Sequence, residues 1–132
     1  MPIEQADGVY VVQVAIQNSS DTALTLTFGM LTYGSWVPQE GNGIPLPGTI
    51  LAPAGALTYF NAAVNALSSV GGSISFLPAN GGSLVVSWER EQGAALTVNV
   101  SITSDTLTAQ CSSINVGTLS PTAQYLVTNI SS

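Results

Sequence analysis

The sequence contains no histidine and no lysine, one arginine (Arg90) and one cysteine (Cys111). Without histidine there is no Ser-His-Asp triad, no Cys-His pair and no imidazole metal site. Without lysine there is no Schiff-base amine and no phosphate-cradling ammonium. The single arginine faces seven carboxylates: Glu4, Asp7, Asp21, Glu40, Glu89, Glu91 and Asp105. A net charge of −6 with no basic patch excludes nucleic-acid binding by counterion release and electrostatic docking on anionic lipid. One thiol closes no disulfide within the chain, and Cys111 reads as a small buried hydrophobe. No apolar run is long enough for a membrane-spanning helix, and no long amphipathic helix is written anywhere. Met1-Pro2-Ile3-Glu4 has no basic region and no apolar stretch follows it, so no secretory signal peptide is expected. On that reading the protein is either secreted without such a signal or cytoplasmic.

Charge of either sign is scarce. Charged residues make up 6% of the chain, against roughly a quarter in an average soluble domain. Solubility falls instead to 16 serines and 13 threonines, side chains that suit strands without adding charge. Such a surface fits self-association, or a neutral partner such as a glycan or a zwitterionic lipid. The 132 residues suit a single domain, 1–132, able to bury roughly two-thirds of its unfolded surface without a disulfide or metal.

Alternation dominates the pattern. In residues 95–103, Leu96, Val98, Val100 and Ile102 fall on one face and Thr97, Asn99, Ser101 and Thr103 on the other, the mark of a half-buried strand. Residues 23–28 read the same way. Further strands are expected at 10–17, 30–37, 55–61, 72–77, 82–88, 106–111, 114–119 and 123–128. About ten short strands predict an all-β antiparallel sandwich. Asn80-Gly81 predicts a hairpin between the 72–77 and 82–88 strands. Residues 61–70 break the alternation with Ala62, Ala63, Val64, Ala66 and Leu67, either as a short helical turn or as an apolar loop. Burial of Leu67 and Val70 is expected there, because Gly71-Gly72 lets the chain turn back into the sheet.

Few constellations carry chemistry. Glu89 and Glu91 would share a strand face about 7 Å apart, near a glycosidase carboxylate pair, but their stretch is polar and offers no apolar pocket. Asp21-Thr22 and Asp105-Thr106 lack the glycine of a protease dyad and read as turn residues. No cluster has metal-ligand spacing, and no cofactor is expected. The chain therefore reads as a binding protein rather than an enzyme. Sequons begin at Asn18, Asn99 and Asn129, as chance produces in a chain so rich in hydroxyls.

The aromatics carry more. Tyr33-Gly34-Ser35-Trp36 precedes a Pro/Gly loop, and Trp88 ends a strand before the one charged cluster. Tyr and Trp favour places with one apolar edge and one wet edge, such as membrane interfaces and sugar platforms. Tyr33, Trp36 and Trp88 are the candidate binding residues. For both tryptophans the other reading is core packing with the indole N–H satisfied.

Several short motifs occur in a familiar order. Val11-Val12-Gln13-Val14-Ala15-Ile16-Gln17-Asn18 opens an apolar strand. Leu31-Thr32-Tyr33-Gly34-Ser35-Trp36 is similar to a Leu-x-Trp-Gly-x-Trp motif with Tyr33 in place of the first Trp. Ile50-Leu51-Ala52-Pro53-Ala54-Gly55 leads into a strand. Gly71-Gly72-Ser73-Ile74-Ser75-Phe76, followed by Val85-Val86-Ser87-Trp88, completes the order. Across roughly residues 9–100 the chain resembles the aegerolysins and, more distantly, actinoporin-like β-sandwiches. After Trp88 it has Glu89-Arg90-Glu91-Gln92-Gly93 where that family continues Asp-Cys-Pro-Trp-Gly. The resemblance implies recognition of a sphingolipid-containing membrane, with recruitment of a separate pore-forming partner protein. A glycan-binding lectin and a self-assembling structural protein are the competing expectations. Strand edges without lysine favour a homo-oligomer in every case.

Overall fold

The computed structural model describes residues 9–65 and 68–130, which form an all-β sandwich of ten strands. These are β1 (Val11–Asn18), β2 (Leu24–Tyr33), β3 (Ser35–Trp36), β4 (Ile50–Leu51), β5 (Ala56–Ala62), β6 (Val70–Pro78), β7 (Ser83–Arg90), β8 (Thr97–Thr103), β9 (Leu107–Ile114) and β10 (Thr122–Asn129). One sheet has the order β3-β5-β1-β10-β9, the other β4-β2-β6-β7-β8. Pairing is antiparallel except between β1 and β10, which run parallel with Gln13 opposite Thr122.

Alternating apolar residues from both sheets meet in the middle. Val12, Val14, Ile16, Tyr59, Tyr125 and Val127 face Leu24, Leu26, Ile74, Phe76, Val86 and Trp88, all at most 2% exposed. The Tyr125 hydroxyl donates to the Ser87 carbonyl and ties one sheet to the other. The expected hairpin forms as β6–β7, with Gly81 and Gly82 at φ 104° and 93°, values that favour glycine.

The strand assignment departs from the sequence pattern in three places. Residues 23–28 and 30–37 do not form two strands. Gly29 continues β2, because Pro45 docks where its side chain would stand: a Cβ there would lie 2.8 Å from Pro45 Cβ. The chain breaks instead at Gly34, φ 86°, and resumes as β3 in the other sheet. Of 114–119 only Ile114 is strand, since Asn115 takes φ 58° and the Thr118 N–H turns back to the Asn115 carbonyl at 3.1 Å. Ile50 and Leu51 form the short β4, a strand too brief for periodicity to mark. Residues 61–70 end β5 and begin β6. Val70 is buried as expected, Val64 is 67% exposed, and Ala66 and Leu67 lie outside the described residues.

Two fully buried asparagines lock opposite ends of the sandwich. Asn18, at the end of β1, donates from Nδ2 to the carbonyls of Thr22 (2.8 Å) and Leu51 (3.1 Å). Its Oδ1 accepts from the Ser20 hydroxyl (2.6 Å) and the Ser20 N–H (3.1 Å). The first sequon is therefore a buried turn lock. Asn61 closes the other end, where the candidate aromatics gather.

Candidate functional site

Asn61 lies on β5 with its side chain turned inward. Its Oδ1 accepts from Trp88 Nε1 at 2.9 Å and from the Gly71 N–H at 2.9 Å. Its Nδ2 donates to the Tyr33 carbonyl at 3.1 Å and, at 3.5 Å, to that of Ser35. One amide thus joins β2, β3, β6 and β7 beneath the three aromatics picked out by sequence. Asn61 carried no sequence signal as a hub, because an asparagine at a strand end looks like a turn residue.

Those three aromatics do not share one role. Trp88 is 2% exposed, with its indole N–H satisfied by Asn61. It is a core residue whose indole N–H is already engaged, and it only borders the hollow on the outer face of its sheet. Trp36 is half-buried and packs edge-on against Trp88 and Tyr59, with ring centroids 6.0 and 6.1 Å apart. Such T-shaped pairs contribute about 0.5–1.5 kcal/mol beyond area burial. Tyr33 is 41% exposed.

β2 explains where Tyr33 goes. Register slips occur between Leu26 and Phe28 and between Leu31 and Tyr33, so Thr27 and Thr32 are extra residues in the strand. A bulge reverses which face the following side chains take. Strict alternation would send Phe28 inward after Leu24 and Leu26. The first bulge sends Phe28 and Met30 outward instead, at 48% and 53% exposure. The second brings Tyr33 over the outer side of Gly71, where a Cβ would meet its Cδ2 at 3.5 Å.

The outer face of this sheet therefore carries an apolar half. Phe28, Met30, Leu77 and Ile50 stand exposed on β2, β6 and β4. Cross-strand register continues the Met30 row through Ser73 and Ser87 to Asn99. Beside it lies a hollow of about 220 Å³ bordered by Thr32, Ser73, Ser87, Glu89, Thr97 and Asn99. Glu89 is the one charged residue on its wall.

The single cation is engaged elsewhere. The Arg90 guanidinium carbon sits 4.1 Å from the Tyr10 ring centroid, and Nε donates to the Ala94 carbonyl at 3.1 Å. Burial raises the Tyr10 phenol above its ordinary range, with Arg90 pulling the other way. Among the described residues no three His, Cys, Asp or Glu side chains gather as a metal site. Cys111 is half-buried on the inner side of edge strand β9.

No protein-family model matches the chain, and no curated protein matches it by sequence. Solved structures do match in fold. IP-1A from Alcaligenes faecalis superimposes with a TM-score of 0.68 at 12% identity, over 92% of each chain. The RahU protein, solved in complex with a TRIS molecule, gives 0.70 at 16% identity, over 93% of this chain and 97% of that one. The lipid binding protein Nakanori gives 0.71 at 10% identity, over 89% of this chain and 70% of that one. The chain thus has the aegerolysin-like β-sandwich fold expected from its motifs.

Proposed function

We propose that this protein is a non-enzymatic, membrane-lipid-recognising sandwich that docks through the outer face of the β4-β2-β6-β7-β8 sheet. The observation that carries the reading is the pair of bulges in β2, which place Phe28, Met30 and Tyr33 on one exposed face, beside a hollow where Glu89 is the single charged group. A soluble chain gains nothing in its core by turning Phe28 and Met30 to water. Exposed apolar side chains grouped beside a polar hollow suit an interface with lipid. The apolar half enters the acyl boundary, and the hydroxyl-lined hollow meets the headgroups. Glu89 faces the ammonium of a zwitterionic headgroup such as that of sphingomyelin or ceramide phosphoethanolamine. With Arg90 stacked on Tyr10, no guanidinium is free to select anionic lipid. The fold shared with the lipid binding protein Nakanori supports this assignment, as does the aegerolysin-like order of motifs. The same reading makes the chain the binding half of a two-component cytolysin, whose pore-forming partner is a separate protein. The sheets end in strands without lysine, and such edges are where copies would pair into a homo-oligomer.

Vesicle sedimentation tests the proposal. Binding is expected to vesicles containing sphingomyelin or ceramide phosphoethanolamine. Phe28→Ser with Met30→Ser removes about 1 kcal/mol of transfer free energy per half-exposed side chain, so partitioning falls about 30-fold. The melting temperature stays unchanged. Absence of binding to every vesicle composition overturns the reading, and so does undiminished binding by the double variant.

A further inference from the structure

The opposite face of the sandwich carries a second hollow, of about 540 Å³, on the outside of the β3-β5-β1-β10-β9 sheet. Cross-strand register builds it from two adjacent rows. Ala56, Gln17, Leu126 and Gln110 stand abreast on β5, β1, β10 and β9, and the next row is Ala15, Gln124 and Ser112 on β1, β10 and β9. Ala56 and Ala15 keep one side of the floor low, Leu126 supplies an apolar centre, and three glutamines rise around it. Strands lie about 4.8 Å apart and same-face residues about 7 Å apart along a strand, so the amides frame an opening about the width of a pyranose ring.

The chemistry of the wall is narrow. No carboxylate and no guanidinium lines the groove. The Ser112 hydroxyl donates to Gln124 Oε1 at 3.4 Å, while the amides of Gln17 and Gln110 have no hydrogen-bond partner among the described residues. Each free amide offers two donors and an acceptor. That pairing matches vicinal hydroxyls, which donate and accept in turn. A charged ligand would lose its hydration here with no counter-charge to replace it. Leu126, between Gln17 and Gln110, matches the C–H face of a sugar ring.

We propose that this groove binds a neutral saccharide of one or two rings. The site is independent of the lipid-facing surface. Because it lies on the other side of the molecule, a protein seated on a membrane holds the groove toward solvent. The saccharide is then one presented from solution or from a second surface.

Titration of isotopically labelled protein with neutral mono- and disaccharides of glucose, galactose, mannose and N-acetylglucosamine tests this by NMR. The side-chain amide signals of Gln17, Gln110 and Gln124 are expected to shift. Gln17→Ala with Gln110→Ala is expected to weaken binding at least about tenfold, with melting temperature and sphingomyelin-vesicle sedimentation unchanged. Sialylated or sulfated counterparts should bind no better than the neutral sugars. A second arm presents the same saccharide on vesicles as a neutral glycolipid. Loss of that binding in the Gln17→Ala, Gln110→Ala variant upholds the groove. Loss only in the Phe28→Ser, Met30→Ser variant overturns it, as does the absence of amide shifts with every neutral sugar.

Discussion

Asn61 shows how one side chain decides what its neighbours are for. By satisfying the Trp88 indole N–H, it makes that tryptophan a core residue. Removing it leaves that donor and the Gly71 N–H buried without partners, and such orphaned groups cost about 1–3 kcal/mol each. Asn61→Ala is therefore expected to lower unfolding free energy by about 2–4 kcal/mol in urea titration. Trp88 emission should move to longer wavelength as water reaches the indole. Sequence alone found Trp36 and Trp88 but left each between core and ligand, since a tryptophan at a strand end reads alike in both settings. The structure separates them by depth: Trp88 is inside, Trp36 at the mouth, Tyr33 outside. Nothing in the local pattern marked Asn61, because its four partners come from residues 10 to 28 positions away.

At the scale of elements, β2 and β6 fit one another through paired irregularities. Gly72 faces inward, where an added Cβ would lie 2.6 Å from the Met30 carbonyl oxygen, 2.7 Å from Leu31 Cδ2 and 3.0 Å from the Trp88 ring. One of those neighbours is backbone and cannot yield without moving β2. Gly72→Ala is expected to destabilise by about 1–3 kcal/mol, as overpacking in a filled core does, and chemical denaturation measures it. Gly71 faces outward beneath Tyr33, so the Gly-Gly pair serves two surfaces. The sequence showed the pair as a place to turn; the fold uses it as room for two aromatics. Strands with clean alternation, such as β8, were legible to within two residues. β2 was not, because a bulge is a tertiary accommodation that leaves composition unchanged.

At the scale of the molecule, the two outer faces differ. One is apolar beside a hydroxyl-lined hollow; the other is a groove of amides. Between them lies a core whose phenols are held neutral. Burial raises the phenols of Tyr10, Tyr59 and Tyr125 above their ordinary value, most strongly in Tyr125, where Cys111 adds to the effect. The folded state therefore binds these protons more tightly than the unfolded chain. Their contribution is complete below about pH 10 and is lost as pH climbs through the raised folded values. A melting temperature that falls steeply above that pH is the expected result. Tyr125→Phe should lower stability at neutral pH, by removing the link to Ser87, and make the alkaline decline shallower. A decline equally steep in the variant would assign it to other groups.

Composition and alternation by themselves determined that the chain is all-β. A period-two pattern broken every eight to twelve residues by turn chemistry has no other compact solution. The inventory also determined which chemistry is absent, since no fold supplies a missing imidazole or ammonium. The order of Tyr33, Trp36, Gly71-Gly72 and Trp88 pointed to the aegerolysin-like sandwich that the structure shares with its neighbours. Only the tertiary structure decided which side chains are surface and which are core. The two bulges of β2 turn Phe28, Met30 and Tyr33 outward, against strict alternation. Asn61 draws Trp88 inward through a bond spanning 27 positions. Parallel pairing of β1 with β10 brings Gln17 and Gln110 to one groove. Each of these depends on register between distant strands, and register is an energy of the packed whole that no local window contains.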